Sequence, residues 1–197
     1  MTSSSRQSIL DRVRSRSLPE APLPELDHDR LIRFDDLADA FQHSAESVGA
    51  TVIRCRSIDE VPEHLLKIDS FREADEFAST IEKIPGNVQV SSRTSGHDWA
   101  SLDWLLIQSR LGVAENGAVW VPTQELNNRV QVFITQHLGV VLKAEDLVHH
   151  MHGAYESIGA IERYGVFVSG PSKTADIEQS LVLGAHGCRT LTLFLLV

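Results

Sequence analysis

The sequence contains very little cysteine. Only Cys55 and Cys188 occur among its 197 residues, and two thiols cannot supply the four ligands that an iron–sulfur cluster or a structural zinc ion normally takes from its protein. His149 and His152 share one side of a predicted helix, but no clear third ligand accompanies them, so a solvated surface is expected there. We therefore expect no intrinsic cofactor and no metal site, with any iron–sulfur cluster held by partner subunits.

Long apolar runs and clusters of basic residues are also absent from the sequence. No apolar stretch approaches the roughly 18 residues that a membrane span requires. The formal net charge is −9, and lysine and arginine are scattered, which argues against a nucleic-acid partner. The expected class is a cytoplasmic α/β protein of small-molecule metabolism, whose oligomeric state the sequence leaves open.

The start of the chain differs in composition from the rest. Residues 1–17 are rich in serine and arginine and are interpreted as a frayed amphipathic helix. Pro19, Pro22 and Pro24 then predict an extended linker. We therefore divide the chain into an N-terminal helix with a proline-rich linker, residues 1–30, and one globular domain, residues 31–197.

Helical and strand patterns alternate through that domain. Apolar residues repeat every four positions over residues 35–48, which predicts a helix, whereas residues 138–142 form the continuous apolar run of a strand buried on both faces. Such alternation indicates a three-layer α/β fold with a largely parallel sheet. Further strands are predicted at 51–55, 88–90, 105–108, 113–121, 164–169 and 191–197, and further helices at 72–84, 147–161 and 174–183.

Residues 165–187, GVFVSGPSKTADIEQSLVLGAHG, carry a family motif. The segment resembles the signature of the lactate-utilisation protein C family, the LUD domain, in which a strand is followed by SGPS, Arg or Lys, TADIE, a helix and GVHGP. Lys173, Ala185 and Cys188 are permitted or minor departures from it. Residues 112–117, GVAENG, resemble the GIAETG of the same family.

The resemblance implies the fold shared by CoA transferases, glucosamine-phosphate deaminases and ribose-phosphate isomerases. Arg129 and His137 fall where the family places an arginine and, eight residues later, a histidine. The family implies an accessory, cluster-free subunit that works with iron–sulfur partner subunits in the oxidation of L-lactate to pyruvate. It leaves open whether the subunit is an acyl- or CoA-transferase-like enzyme or a metabolite-sensing or assembly protein without catalysis.

The loop after the predicted strand at 164–169 is a candidate anion site. A strand, a glycine-containing loop and a helix start are the parts of phosphate cradles, although the lysine that directly follows the second glycine of a triphosphate-binding loop is absent. A small anionic metabolite is the expected ligand; the alternative is a plain helix cap at Ser172 or Thr174. The candidate ligand-binding residues are Ser169, Gly170, Pro171, Ser172, Lys173, Thr174 and Asp176.

Residues 115–117, Glu-Asn-Gly, lie between two alternating apolar runs. Asn116 and Gly117 predict a two-residue type I′ hairpin, because both residues tolerate positive φ. The triplet also resembles the Ser-Glu-Asn-Gly motif of CoA transferases, in which the glutamate attacks an acyl thioester. Glu115 is therefore a candidate catalytic residue, although Ala114 replaces that serine, and Asn116 and Gly117 are candidate ligand-binding residues.

Three basic side chains complete the candidate site. We expect Arg129 to bind a carboxylate and His137 to act as an acid or base. Both are expected in one cleft with Glu115, at the carboxyl ends of the strands near the loop at 169–174. His186, between two glycines, is either a ligand-binding residue or a C-cap of the preceding predicted helix.

Overall fold

The computed structural model describes residues 5–16, 22, 24–88, 95–122, 126, 128–159, 164–175, 181–184 and 186–197, with residues 174–175 and 181–183 described by their backbone. The chain forms two compact units, Met1–Leu31 and Ile32–Val197. Within the described ranges no helix is long and apolar enough to cross a membrane.

The first unit contains helix α1 (Ser5–Arg14), at the position where the sequence predicts a helix. The Gln7 amide donates to the Asp11 carboxylate one turn later at 3.0 Å, a spacing that supports isolated helices. Ile9 and Val13, on its apolar side, are exposed. Helix α1 is therefore stabilised by interactions between its own residues, such as the Gln7–Asp11 hydrogen bond.

The second unit alternates helices and strands. Those predicted at 35–48, 51–55, 105–108, 138–142, 164–169 and 191–197 are confirmed to within a residue or two at each end. In chain order the elements are α2 (Leu37–Ser47), β1 (Thr51–Cys55), α3 (Val61–Leu65), α4 (Asp69–Arg72), β2 (Phe77–Ser79), β3 (Trp104–Gln108), β4 (Gly112–Val113), β5 (Ala118–Pro122), α5 (Gln131–Ile134), β6 (His137–Lys143), β7 (Leu147–Val148), α6 (Met151–Ile158), β8 (Gly165–Val168), β9 (Lys173–Ala175), β10 (Leu181–Leu183) and β11 (Thr190–Leu196).

Five parallel strands form the central sheet, in the order β1-β11-β6-β3-β2. Alternate residues of β3 pack on opposite faces: Leu105 and Ile107 join one apolar cluster, and Trp104 and Leu106 join another. Helix α2 contributes to the first cluster and helices α3 and α4 to the second. Because helices cover both faces of a mainly parallel sheet, the predicted three-layer α/β fold is confirmed.

A second, mixed sheet has the order β7-β4-β5-β8. Strands β4 and β5 are antiparallel, with Val113 opposite Ala118, so the predicted hairpin is confirmed. Its connection has four residues, 114–117, instead of the predicted two, and is closed by the Gly117 N–H donating to the Val113 carbonyl at 2.9 Å. Strand β8 pairs antiparallel with β5 and carries the chain to the predicted anion loop.

The helix predicted over residues 72–84 is wrong. Helix α4 ends at Arg72, and β2 follows as an edge strand parallel to β3. The Phe77 N–H donates to Asn87 Oδ1, and the Phe77 carbonyl accepts from the Asn87 N–H, both at 2.8 Å. The residues after the strand thus fold back on it, and this tertiary pairing overrides the local helical periodicity.

Two other predicted elements also change. The first residue of the strand predicted at 88–90 lies in a bend, and the other two are outside the described residues. The helix predicted over 147–161 is shorter, because residues 147–148 pair with β4 as strand β7. Helix α6 begins only after His150, which caps it.

The helix predicted over residues 174–183 is also wrong where the chain is described. Strands β9 and β10 pair as an antiparallel hairpin, and residues 176–180 lie outside the described residues. Ser172 holds the base of this hairpin: its N–H donates to the Cys188 carbonyl at 2.9 Å, and its carbonyl accepts from the Gly184 N–H at 3.0 Å. Because the described residues form strands, the alternative roles of Ser172 or Thr174 as a helix N-cap and of His186 as a helix C-cap do not apply.

Candidate ligand-binding pocket

A pocket of about 220 Å³ lies between α5, β8 and the segment that leads into β11. It adjoins the carboxyl end of β8 but the amino end of β11. The ligand site was predicted at strand carboxyl ends, and this pocket has that position relative to β8 but not relative to the central sheet. The lining residues are Val132, Phe133, Val166, Phe167, Val168, Ser169, Gly170, Pro171, Ser172, His186, Gly187 and Cys188.

Backbone pairing positions the polar side of this pocket. The Ser172–Cys188 hydrogen bond joins the loop after β8 to the lead into β11. Gly187 lets the two segments approach closely, because a Cβ there would lie 3.0 Å from the Ser172 Cβ. Ser172 and exposed His186 thus line the same pocket from different segments.

The loop at 169–170 packs against the hairpin connection and the end of α2. The Ser169 hydroxyl donates to the Asn116 carbonyl at 2.8 Å. Gly170 has a φ of 73°, and a Cβ there would collide with the Val48 carbonyl oxygen. These contacts hold the loop backbone in place beside the pocket.

Lys173 lies at the carboxyl end of α2. Its Nζ donates to the Val48 carbonyl, where the helix dipole is negative. Lys173 is exposed and is not one of the residues that line the pocket. The ammonium group thus has a partner in the fold at the position where the sequence predicted an anionic ligand.

Asn116 and Gly117 shape the hairpin connection. Asn116 Oδ1 accepts from the Ala118 N–H at 3.1 Å. Gly117 has a φ of 65° and packs on the backbone of Ala45 in α2, with no room for a Cβ. Both residues thus have structural roles, and neither lines the pocket.

Glu115, the candidate nucleophile, lies at the start of α6. Its Oε2 accepts from the Met151 N–H at 2.9 Å, and its own N–H donates to the His149 carbonyl at 3.0 Å. A carboxylate at a helix N-terminus satisfies an unpaired donor and complements the dipole. This exposed glutamate therefore caps a helix and does not line the pocket.

His137, the candidate acid or base, lies at the amino end of β6. Its ring stacks on Trp104, with centroids 5.2 Å apart, and its Nδ1 lies 2.8 Å from the Thr190 hydroxyl. Burial and then the positive charge of Arg189 lower the pKa of His137, while Asp103 opposes them. The neutral imidazole is therefore favoured.

Arg129 lies beside a second, open pocket. Its guanidinium group is 6.0 Å from the centroid of the Tyr164 ring, a distance typical of a cation–π contact. Arg129, Val130, Phe133 and Tyr164 line this pocket of about 270 Å³, and Phe133 also lines the first pocket. Arg129 is therefore adjacent to the candidate site.

Neither of the two pockets described above is lined by more than one of Glu115, Arg129 and His137, which were predicted to share a cleft. The three side chains contact α6, Tyr164 and the β6–β11 edge respectively. Of the other predicted ligand residues, Thr174 lies in β9, and Asp176 lies outside the described residues.

The imidazoles near α6 act as hydrogen-bond acceptors within the fold. His149 Nδ1 accepts from the Phe34 N–H at 3.1 Å, and His150 Nδ1 accepts from the Gly153 N–H at 3.0 Å. One ring nitrogen of each of these two histidines is thus occupied by a hydrogen bond from a backbone N–H.

The pocket combines an apolar wall with few polar groups. Phe133 and the valines of β8 line it together with Ser172, His186 and two glycines. Such a pocket suits a small molecule with one apolar part and one polar or anionic group, which the polar groups orient. Burial raises the pKa of the Cys188 thiol, which keeps this neighbour uncharged.

The sequence did not identify the apolar half of the pocket. Val132 and Phe133 resemble ordinary core residues in sequence, and only the docking of α5 brings them to the loop at 169–172. The 41% exposure of Phe133 is a tertiary property that apolar periodicity does not report.

Comparison with known proteins gives one family and one fold. The sequence profile of the LUD domain matches residues 69–196. Lactate utilization protein C from Exiguobacterium sp. is 23% identical over 175 residues, covering 78% of this chain and 74% of that protein. The crystal structure of a DUF162 family protein from Deinococcus radiodurans superimposes with a TM-score of 0.62 at 16% identity, covering 81% of this chain and 95% of that one.

Proposed function

Because this chain belongs to the LUD domain family, we propose that it serves lactate utilization by binding a small anionic metabolite in the pocket between α5, β8 and β11. The name of the Exiguobacterium relative, lactate utilization protein C, supports the process. The pocket supports the mode of action, since it lies within the matched residues.

The observation that carries the binding role is the placement of Ser172 and His186. Residues that carry a hydroxyl and an imidazole line one small pocket together with aromatic and aliphatic residues. L-lactate and pyruvate each combine a methyl group with a carboxylate. The methyl group suits Phe133 and the β8 valines, and the carboxylate suits the hydroxyl and imidazole.

We further propose that the chain is an accessory subunit in the cytoplasm, whose iron–sulfur partners carry the electrons from L-lactate to pyruvate. The resemblance to the lactate-utilisation family motivates these partners. The positions of the two cysteines support the assignment of iron–sulfur clusters to partner subunits. The cysteines lie in separate apolar parts of the core and cannot together ligate an iron–sulfur cluster.

Covalent acyl transfer is the less supported alternative. A nucleophilic glutamate must reach the substrate, whereas Glu115 is committed to the N-terminus of α6 and does not line the pocket. The geometry therefore favours binding without covalent catalysis by this side chain.

The binding role is tested by calorimetry with L-lactate and with pyruvate. We expect one of these carboxylates to bind, and His186→Ala and Ser172→Ala each to raise its Kd by about tenfold or more, because each removes a hydrogen bond to a charged group. His43→Ala, an exposed histidine on α2, is the matched control and should bind like the parent. Equal affinity in all four proteins would contradict the assignment of the pocket.

The cellular role is tested separately by growth. Deleting the gene should abolish growth on L-lactate and leave growth on glucose unchanged, and the parent gene should restore it. Normal growth of the deletion strain on L-lactate would refute a role in lactate utilization, whatever the pocket binds.

A further inference from the structure

We propose that Cys55, Glu60 and His64 form a binding site for a zinc ion, separate from the pocket described above. The Cys55 Sγ, a Glu60 carboxylate oxygen and a His64 ring nitrogen all lie within 4.8 Å of one another. They lie at the carboxyl edge of the central sheet, where Cys55 is the last residue of β1. This is the edge at which open parallel sheets generally place their ligands.

The donor set is one that zinc prefers. Thiolate, imidazole and carboxylate are its three usual protein ligands, at about 2.3 Å for sulfur and about 2.0–2.2 Å for nitrogen and oxygen. Tetrahedral bonds of these lengths put the ligand atoms about 3.3–3.7 Å apart. The three atoms therefore need to approach one another by at most about 1.5 Å. Three protein ligands leave a fourth position for water or an anion.

The local fold supplies both a rigid and an adjustable part of the site. Cys55 is 1% exposed, and its carbonyl accepts from the Val197 N–H at 2.9 Å, which fixes the strand end. Glu60 and His64 are four residues apart where the chain enters α3, so they lie on one side of a helical turn. Both are partly exposed, so a metal ion can enter from solvent and their side chains can rotate toward it.

Arg56 holds the Glu60 carboxylate in position. Its backbone N–H donates to Glu60 Oε2 at 3.0 Å, and its Nε donates to Oε1 at 2.7 Å. Each carboxylate oxygen accepts about two hydrogen bonds or ligand contacts, so an oxygen remains able to ligate a metal. A carboxylate oriented by an outer hydrogen bond is the usual arrangement around zinc.

The site revises the expectation that the chain has no intrinsic metal. That expectation considered only four-cysteine sites and the histidines near residue 150. It missed a site with a single cysteine, because the three ligands are of three different residue types and come from two elements, the end of β1 and the first turn at α3. The one local signal is the four-residue spacing of Glu60 and His64, which is common on helices that bind no metal.

The test is a titration of untagged, chelator-treated protein with Co²⁺, a spectroscopic substitute for zinc, under reducing conditions. We expect one Co²⁺ per chain, with the near-ultraviolet absorption of a thiolate-to-cobalt bond. Cys55→Ser should abolish this absorption, and Cys188→Ser, the matched buried cysteine, should retain it. His64→Gln should weaken Co²⁺ binding by about tenfold or more, whereas His43→Gln should not.

Zinc itself is then added to the parent protein and should raise its Tm, since a ligand that binds the folded state stabilises it. His64→Gln, which leaves the core cysteine intact, keeps the test valid if Cys55→Ser fails to fold. The proposal is overturned if the parent shows no thiolate-to-cobalt absorption, if Cys188→Ser loses the absorption, or if zinc leaves the Tm unchanged.

Discussion

At the scale of single residues, Gly117 is a position where the fold tolerates no side chain. Its φ of 65° costs an L-residue about 1–2 kcal/mol, and its added Cβ would meet the Ala45 backbone, where overpacking costs about 1–3 kcal/mol more. We expect Gly117→Ala to lower the free energy of unfolding by about 2–5 kcal/mol in urea denaturation.

Gly49→Ala separates the conformational cost of a positive φ from the cost of close packing. Gly49 also has a positive φ, 90°, but its added Cβ would make ordinary contacts of 3.4 Å or more, chiefly with the flexible Lys173 side chain. The loss there should stay near the conformational cost alone, about 1–2 kcal/mol. Equal losses at the two positions would show that close packing of the hairpin on α2 does not constrain Gly117.

At the scale of elements, Lys173 joins the start of β9 to the end of α2. The ammonium group donates to the Val48 carbonyl and complements the negative end of the helix. Lys173→Met keeps most of the side-chain length and removes the charge. We expect a loss of about 0.5–1 kcal/mol in the free energy of unfolding, with unchanged affinity for the carboxylate ligand.

The hypothesis that Lys173 binds the anionic ligand predicts the opposite pair of results, a loss of affinity and an unchanged stability. An ammonium that binds the anionic ligand would give Lys173→Met a binding loss of about 1.5–3 kcal/mol with stability nearly unchanged. Denaturation and calorimetry on one preparation therefore decide between a helix cap and a ligand contact. Lys67→Met, an exposed lysine paired with Glu63 on the surface, controls for the loss of a charge.

At the scale of the whole molecule, stability should depend on pH through His137. The folded state lowers the pKa of this imidazole, so the unfolded chain takes up a proton at higher pH than the folded protein does. The contribution of His137 is then complete above about pH 6.5 and is lost as the pH falls through the lower pKa of the folded state. The parent protein should therefore be less stable at about pH 5.5 than at about pH 7.5.

His137→Gln removes the titrating group and should flatten this pH dependence in urea denaturation. His43→Gln, at an exposed position, should leave it as in the parent. If His137→Gln retains the full loss of stability on acidification, another group is responsible and the partial burial of His137 against Trp104 is not its cause.

The sequence by itself determined the family, the α/β class and the central strands. Strands β3, β6 and β11 are buried on both faces, so their continuous apolar runs report their environment directly. The spacing of Phe41 and Ala45 likewise identified α2, whose buried face they form. The motif at 165–187 placed Ser172 and His186 among the ligand-binding candidates, and both line the pocket.

Only the tertiary structure decided which partners the remaining residues have. Residues 77–79 became a strand because β3 offers an edge to pair with, and β9 and β10 paired with each other. Glu115 is a helix cap because β7 brings α6 to it, and Cys55 meets His64 because β1 ends beside α3. Local periodicity records whether a side chain is buried, whereas a hydrogen bond or ligand set between distant segments depends on how those segments dock.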